Sequence, residues 1–276
     1  MSDHPFASPY QTLICDVPRP TVGRITLNRP EVMNAYNVTM DRELQTAVGA
    51  YRDDDDLRVL VVTGAGTRAF CTGGDISGGN PEHGRRVAAQ PMGRGREMRD
   101  GMQAVVVALR TLDKPSVAMI RGYAVAGGLA LAMACDFRFA ATSARLGDTS
   151  GKVGLLPDEG GAWLFPRAMG LDRALRMTLL SEIYDAPKAA QLGLVTEVVD
   201  DDSLEEATLA FAEALASRAP LAVRLTKMMM ARSAGLSLEE SIADAQMAVM
   251  IANPSDDVRE GLKAFREKRA PKFEGR

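Results

Sequence analysis

Histidine is almost missing from this 276-residue chain: only His4 and His83 occur. His4 falls in the first few residues, where chains fray. A Ser-His-Asp relay or a histidine-rich metal site would therefore rest on His83 alone, which comes close to excluding both, and no metal is expected. Cysteine is scarce as well. Cys15, Cys71 and Cys135 are odd in number, far apart and without a C-x-x-C pair. That argues against a disulfide framework or a zinc site and fits a reducing compartment. Charge of one sign is not in excess: 33 Lys+Arg face 36 Asp+Glu, a net charge of −3. So weak a bias points to neither a nucleic acid nor an anionic membrane as partner. Long apolar runs are absent too. The longest, 123–135, is rich in Gly and Ala and falls short of the about 20 residues a bilayer span needs. The first nine residues carry Asp3, His4 and two prolines, with no apolar targeting core. A cytoplasmic protein is expected.

What is present is enough for a sizeable core, with 46% hydrophobic residues. Two strand-like runs, 12–17 and 22–27, flank the turn-prone Pro18-Arg19-Pro20. Met40, Leu44, Ala47, Val48 and Tyr51 recur at helical spacing, which predicts a helix over 39–51 with Thr39 as its N-cap. The acidic run 53–56 reads as an exposed connection. Residues 57–63, LRVLVVT, have the continuous β-branched pattern of a buried strand. A glycine-rich stretch follows, then a polar loop from Asn80 to about Gly95 containing Arg85, Arg86 and Arg94, long enough to suggest a lid. The pattern next predicts a helix at 98–112, a strand at 116–120, a small-residue helix at 127–134 and a strand at 136–140. Alternation of this kind predicts an α/β fold with crossover connections. Beyond it the chain reads as helical apart from a short strand at 195–199. S-x-x-E capping boxes open at Ser203 and Ser237. Residues 1–200 are thus expected to form an α/β core, and 201–276 a C-terminal helical region that covers it or packs on another subunit.

Several motifs can be weighed. Residues 64–69, GAGTRA, match the dinucleotide fingerprint, but the helix that should open within it is replaced by more glycine. No G-x-S-x-G elbow occurs, and Gly151-Lys152 is followed by Val153 rather than Ser or Thr, so there is no phosphate loop. Met228-Met229-Met230 reads as adaptable core filling, or else as a plastic acyl pocket. Two glycine-rich junctions carry more weight, 69–76 (AFCTGGDI) and 122–130 (GYAVAGGLA). Each follows a strand, and the second opens a helix, whose free N–H groups and positive dipole end meet at one place. Glycine lets a ligand atom approach the backbone. Two such junctions can offer two N–H donors to one oxyanion, or can be simple turns.

Five segments resemble the crotonase, or enoyl-CoA hydratase/isomerase, superfamily: NRPEVMNA at 28–35, VLVVTGAGTRAFCTGGDI at 59–76, KPSVAMIRGYAVAGG at 114–128, CDFRFAA at 135–141 and GLLPDEGG at 154–161. The resemblance spans nearly the whole chain in the family's order. It implies a crotonase-like repeated ββα core with a C-terminal helical region, assembled as a homotrimer or dimer of trimers. It implies that the carbonyl of an acyl-CoA thioester lies between the N–H groups of Gly74 and Gly127. It also implies that CoA runs along Met33, Ala35, Asp75, Ile76 and Ser77, with its phosphate near Arg24, Arg29 or Lys227. CoA is part of the substrate, and no separate cofactor is implied.

The departures from the family pattern matter. The two glutamates of its hydratases are replaced by Ala130 and Ser150. Ala130 cannot carry a proton, and Ser150 is too weak a base unaided. Asp158 matches an aspartate used by the family's dienoyl-CoA isomerases and dehalogenases. Moving a double bond needs only one base, so isomerisation through Asp158 is the favoured expectation. The bland alternative makes Asp158 the N-cap of the next helix. Glu159 and Asp148 are lesser candidates. A hydratase-like activity with rearranged acid/base groups, and an acyl-CoA-binding pseudoenzyme without turnover, stay open.

Overall fold

The computed structural model describes Phe6, residues 9–76 and residues 81–276. The chain runs β1 (Leu13–Arg19), β2 (Val22–Leu27), α1 (Val38–Asp53), β3 (Val59–Gly64), β4 (Ala69–Cys71), α2 (Pro81–Ala88), α3 (Gly93–Asp100), α4 (Met102–Thr111), β5 (Ser116–Ile120), β6 (Tyr123–Val125), α5 (Gly127–Ala134), β7 (Phe137–Ala141) and β8 (Arg145–Gly147). It continues through α6 (Gly161–Met169), α7 (Leu171–Leu180), β9 (Ile183–Asp185), α8 (Ala186–Gln191) and β10 (Glu197–Val199). Four helices close it: α9 (Leu204–Ala216), α10 (Pro220–Ser233), α11 (Leu238–Ala252) and α12 (Asp256–Glu267).

A repeated strand–strand–helix unit explains the topology. In the pairs β3–β4, β5–β6 and β7–β8 the longer strand joins one sheet, ordered β1-β2-β3-β5-β7-β10, and the short strand that follows joins a second, ordered β4-β6-β8-β9. Apart from the β1–β2 and β8–β9 pairs, the strands run parallel. Parallel strands covered on both faces read as continuous apolar runs, and β3 shows why. Its Val59 and Val61 face α9 with Val22, Val117 and Phe139, while Leu60 and Val62 face the larger core with Met40, Leu44 and Leu129. Helix α5 is buried at all eight residues; its glycines and alanines let it lie inside the molecule.

Several local expectations are corrected. The long polar loop is not a loop over its described part, because α2 and α3 occupy it. Each is eight residues long with few apolar side chains, so little hydrophobic period could reveal it. The helix expected over 98–112 breaks at Gly101, whose φ of −102° and ψ of −124° are not helical. The cap of α1 is Asn37, which accepts from Met40 N at 2.9 Å, rather than Thr39. Ser237 forms its capping box, but Ser203 makes no side-chain cap bond and enters α9 through a 3-10 turn. Met228 and Met230 are exposed and fill no core. Among the described residues, no helix is long and apolar enough to cross a membrane.

Candidate active site

Neighbouring parallel strands of the small sheet bring the two glycine junctions together. β4 and β6 pair with Ala69 opposite Tyr123 and Cys71 opposite Ala124, so the chain turns off both strands at the same edge. After β4, Tyr36 N donates to the Gly73 carbonyl (2.9 Å) and Asp75 N donates to the Tyr36 carbonyl (2.8 Å). This bridge turns the N–H of Gly74 away from Tyr36's backbone. After β6, Leu129 N and Ala130 N both donate to the Ala126 carbonyl, and the N–H of Gly127 is one of the first-turn donors that a helix cannot satisfy internally. The turns touch: a Cβ on Gly73, whose φ is +92°, would lie 3.2 Å from Gly127 N. Ala126 sets the direction of the Gly127 N–H from a backbone at φ 50°, ψ −130°, which is strained for any residue with a Cβ.

Tyr36 and Glu159 pack against these two glycines. The Tyr36 ring lies against Gly74, 3.6–3.7 Å from where a Cβ would be. Its hydroxyl donates to Glu159 Oε1. A Cβ on Gly127 would run into that hydroxyl and come within 2.5 Å of Glu159 Oε1. Tyr36 is 7% exposed and Glu159 8%. Burial raises the Glu159 carboxyl above the ordinary glutamate range; the Tyr36 hydrogen bond opposes the rise, and the neighbouring Asp158 adds to it. Burial and the Glu159 charge together push the Tyr36 hydroxyl far above the usual phenol value, so it stays a donor. Asp41, on the first turn of α1, is pushed up to about 7 by burial and then by the charges of Glu97 and Glu159. Its Oδ1 is buried without a partner among the described residues. Cys71 is raised by burial to about 12, which removes it as a nucleophile.

Asp158 lines the same cavity but is exposed at its rim, in contrast to Glu159 beside it. It does not cap α6. That helix opens on Gly160 at φ 105°, with no side-chain cap bond, while the Asp158 carbonyl accepts from Gln103 Nε2 at 2.9 Å. Ser150 reaches the cavity too, with its hydroxyl donating to Asp148 Oδ1 at 2.7 Å. Asp148 is fully buried behind it. Ala130 is buried in α5.

Two cavities meet at Gly74. One, about 500 Å³, is lined by Tyr36, Asp41, Glu97, Met98, Asp158 and Glu159 among others. The second, about 620 Å³, is lined by Met33, Ala35, Asp75, Ile76 and Arg68 among others. Four of the five residues expected along CoA therefore share one groove; the fifth, Ser77, lies outside the described residues. Of the basic residues considered for the phosphate, Arg24 pairs with Asp16 and Glu205, and Lys227 with Asp136. Arg29 pairs with Asp75 at 2.8 Å and donates to the Ala35 carbonyl at 2.7 Å, tying the two halves of the groove together. Sequence reasoning missed Tyr36, Asp41 and Glu97. Only the position of Tyr36 directly after the Asn34-Ala35 pair could have signalled one of them. Among the described residues, no group of three or more side chains is arranged to hold a metal ion.

A groove and a carboxylate-lined cavity thus meet at Gly74, where the two glycine turns adjoin. The model of the enoyl-CoA hydratase/isomerase family matches residues 19–276, and the chain belongs to that family. It is 38% identical over 254 residues to the (E)-benzylidenesuccinyl-CoA hydratase of Thauera aromatica, covering 92% of this chain and 96% of the relative. Among solved structures it resembles an enoyl-CoA hydratase from Bacillus anthracis, with a TM-score of 0.88 and 33% identity over 96% of this chain and 100% of the other. It also resembles DspI of Pseudomonas aeruginosa, with a TM-score of 0.86 and 31% identity over 97% and 98% of the two chains.

Proposed function

We propose that this protein binds an acyl-CoA thioester with its CoA arm in the Met33–Ile76 groove and its acyl group in the cavity of Asp158 and Glu159. The thioester oxygen sits between the N–H groups of Gly74 and Gly127, which stabilise the enolate as negative charge develops on it. Preorganised donors of this kind contribute about 3–4 kcal/mol each to a transition state in a dry site. Asp158 moves the proton, and double-bond isomerisation is the reaction. The observation that carries this reading is the meeting of the two glycine turns beneath a cavity lined by carboxyl groups. CoA is part of the substrate, and the chemistry calls on no other cofactor.

A hydratase-like reaction is the second reading. A second carboxyl group, Glu159, lies in the cavity although the usual glutamate positions hold Ala130 and Ser150, and a relative at 38% identity carries the name of a hydratase. Incubating the purified protein with 2-enoyl, 3-enoyl and dienoyl thioesters in D₂O separates the outcomes. Double-bond migration with α-proton exchange supports the isomerase, and a 3-hydroxyacyl product supports the hydratase. Tight binding with neither change leaves a binding protein. We extend the family's trimer to this chain: the exposed Leu171, Leu175, Leu179 and Leu180 of α7 favour self-association, and sedimentation equilibrium at a monomer mass would overturn it.

A further inference from the structure

Isomerisation needs two proton transfers, one at the α-carbon and one at the γ-carbon. Asp158 alone would have to reach both. The cavity, however, holds a second carboxyl group with a different environment. Glu159 is adjacent in sequence, more than nine-tenths buried, and lies against the glycine that supplies an oxyanion donor. Tyr36, which donates its hydroxyl to Glu159, is itself buried and packs against both glycines. Neither position corresponds to the glutamates replaced by Ala130 and Ser150. From this geometry we infer that Glu159 is a second catalytic residue, the acid that protonates the γ-carbon, and that Tyr36 is its positioning residue. The inference rests on the enolate reading above and deepens it.

The Asp158 carboxylate takes the α-proton of a 3-enoyl thioester, and the C–H electron pair enters the dienolate held by Gly74 and Gly127. The Glu159 O–H bond breaks as a C–H bond forms at the γ-carbon, giving the 2-enoyl product. Glu159 is left as a carboxylate that keeps the Tyr36 O–H bond. Asp158, now protonated, passes a proton to Glu159, its direct side-chain neighbour, and both groups are reset. Burial raises the Glu159 carboxyl and so favours its protonated form, whereas Asp158 lies at the exposed rim of the cavity. The other groups bearing on Glu159 are Asp41 from α1, Cys71 from β4 and Asp158 from its own turn. Arg94, Glu97 and Lys152 stand around the same cavity.

The test uses the whole protein and a short 3-enoyl-CoA in D₂O, following deuterium at the α-carbon and appearance of the 2-enoyl product separately. Glu159→Gln keeps the shape and an acceptor for Tyr36 but removes the proton. It should lower the ratio of isomerisation to α-exchange by about 10²-fold or more, within the usual range for a positioned acid. Asp158→Asn should lose both signals together. An unchanged ratio in a folded Glu159→Gln protein overturns the role of Glu159 and leaves the enolate reading standing. Absence of both signals in the unsubstituted protein overturns both. Should Glu159→Gln fail to fold, Tyr36→Phe serves. Removing the donor that favours the ionised form raises the carboxyl further, so the alkaline limb of the isomerisation pH profile should move to higher pH. A limb that stays in place in the folded Tyr36→Phe protein overturns the assignment.

Discussion

Glu159 occupies the place that a side chain on Gly127 would need: its Oε1 lies 2.5 Å from the Cβ position of residue 127, with the Tyr36 hydroxyl closer still. Residue 127 can lie beneath Tyr36 and Glu159 only because it has no side chain. Gly127→Ala should force Tyr36 and Glu159 aside, at a cost of about 1–3 kcal/mol for overpacking. Activity should fall by about 10²-fold as the donor and the carboxyl lose register. Urea unfolding and turnover of the same preparation check both; a stable, fully active variant would show that this crowding is unimportant.

Asp158 is exposed and makes no cap bond, so its removal should hardly touch folding. Asp158→Asn and Asp158→Ala should each change stability by less than about 0.5 kcal/mol and lower isomerase activity by roughly 10²–10⁴. A larger stability loss for Ala than for Asn would restore the capping role expected from the sequence.

Asp41 gives the stability a pH dependence of known sign. Its carboxyl titrates near 3.8 when unperturbed and is pushed up to about 7 in the fold. The native state therefore holds a proton that the unfolded chain releases over that window. Stability should fall as pH rises from about 4 to about 7 and level off above it. Between about pH 5 and about pH 8 the loss attributable to this group is on the order of 2 kcal/mol. Asp41→Asn should flatten that slope in denaturant titrations at the two pH values. A wild-type slope that survives the substitution would assign it to other groups.

Ala126 holds a backbone conformation that suits glycine, at φ 50°. Ala126→Gly should relieve the strain and stabilise the protein by about 1 kcal/mol, the gain reduced by the extra chain entropy of glycine. Turnover should stay within a few-fold if the Gly127 N–H keeps its direction. Thermal melts together with kcat and KM would check this, and a destabilised variant would mean that the Ala126 side chain contributes packing that outweighs its strain.

Much of the fold can be read along the chain because it is carried by local periodicity. The run LRVLVVT supplies β3 from Val59 onward, and the apolar spacing of 40–51 forms the buried face of α1. The glycine junctions at 73–74 and 127–128 are legible because close backbone approach leaves a residue type as its trace. The three-residue strands of the second sheet and the polar helices α2 and α3 leave too short or too weak a period to be seen. Asp158 and Glu159 show the sharpest division. Sequence alone places two carboxylates side by side, and the match to the family's aspartate favours the first. The fold turns Glu159 inward, under Tyr36 and against Gly127, and leaves Asp158 at the rim. Both side chains line the cavity, and the turn that carries them ends on Gly160, whose left-handed conformation starts α6. The burial that raises one carboxyl arises from contacts with Gly127 and with Tyr36, 123 positions away along the chain, so only the tertiary structure could decide it.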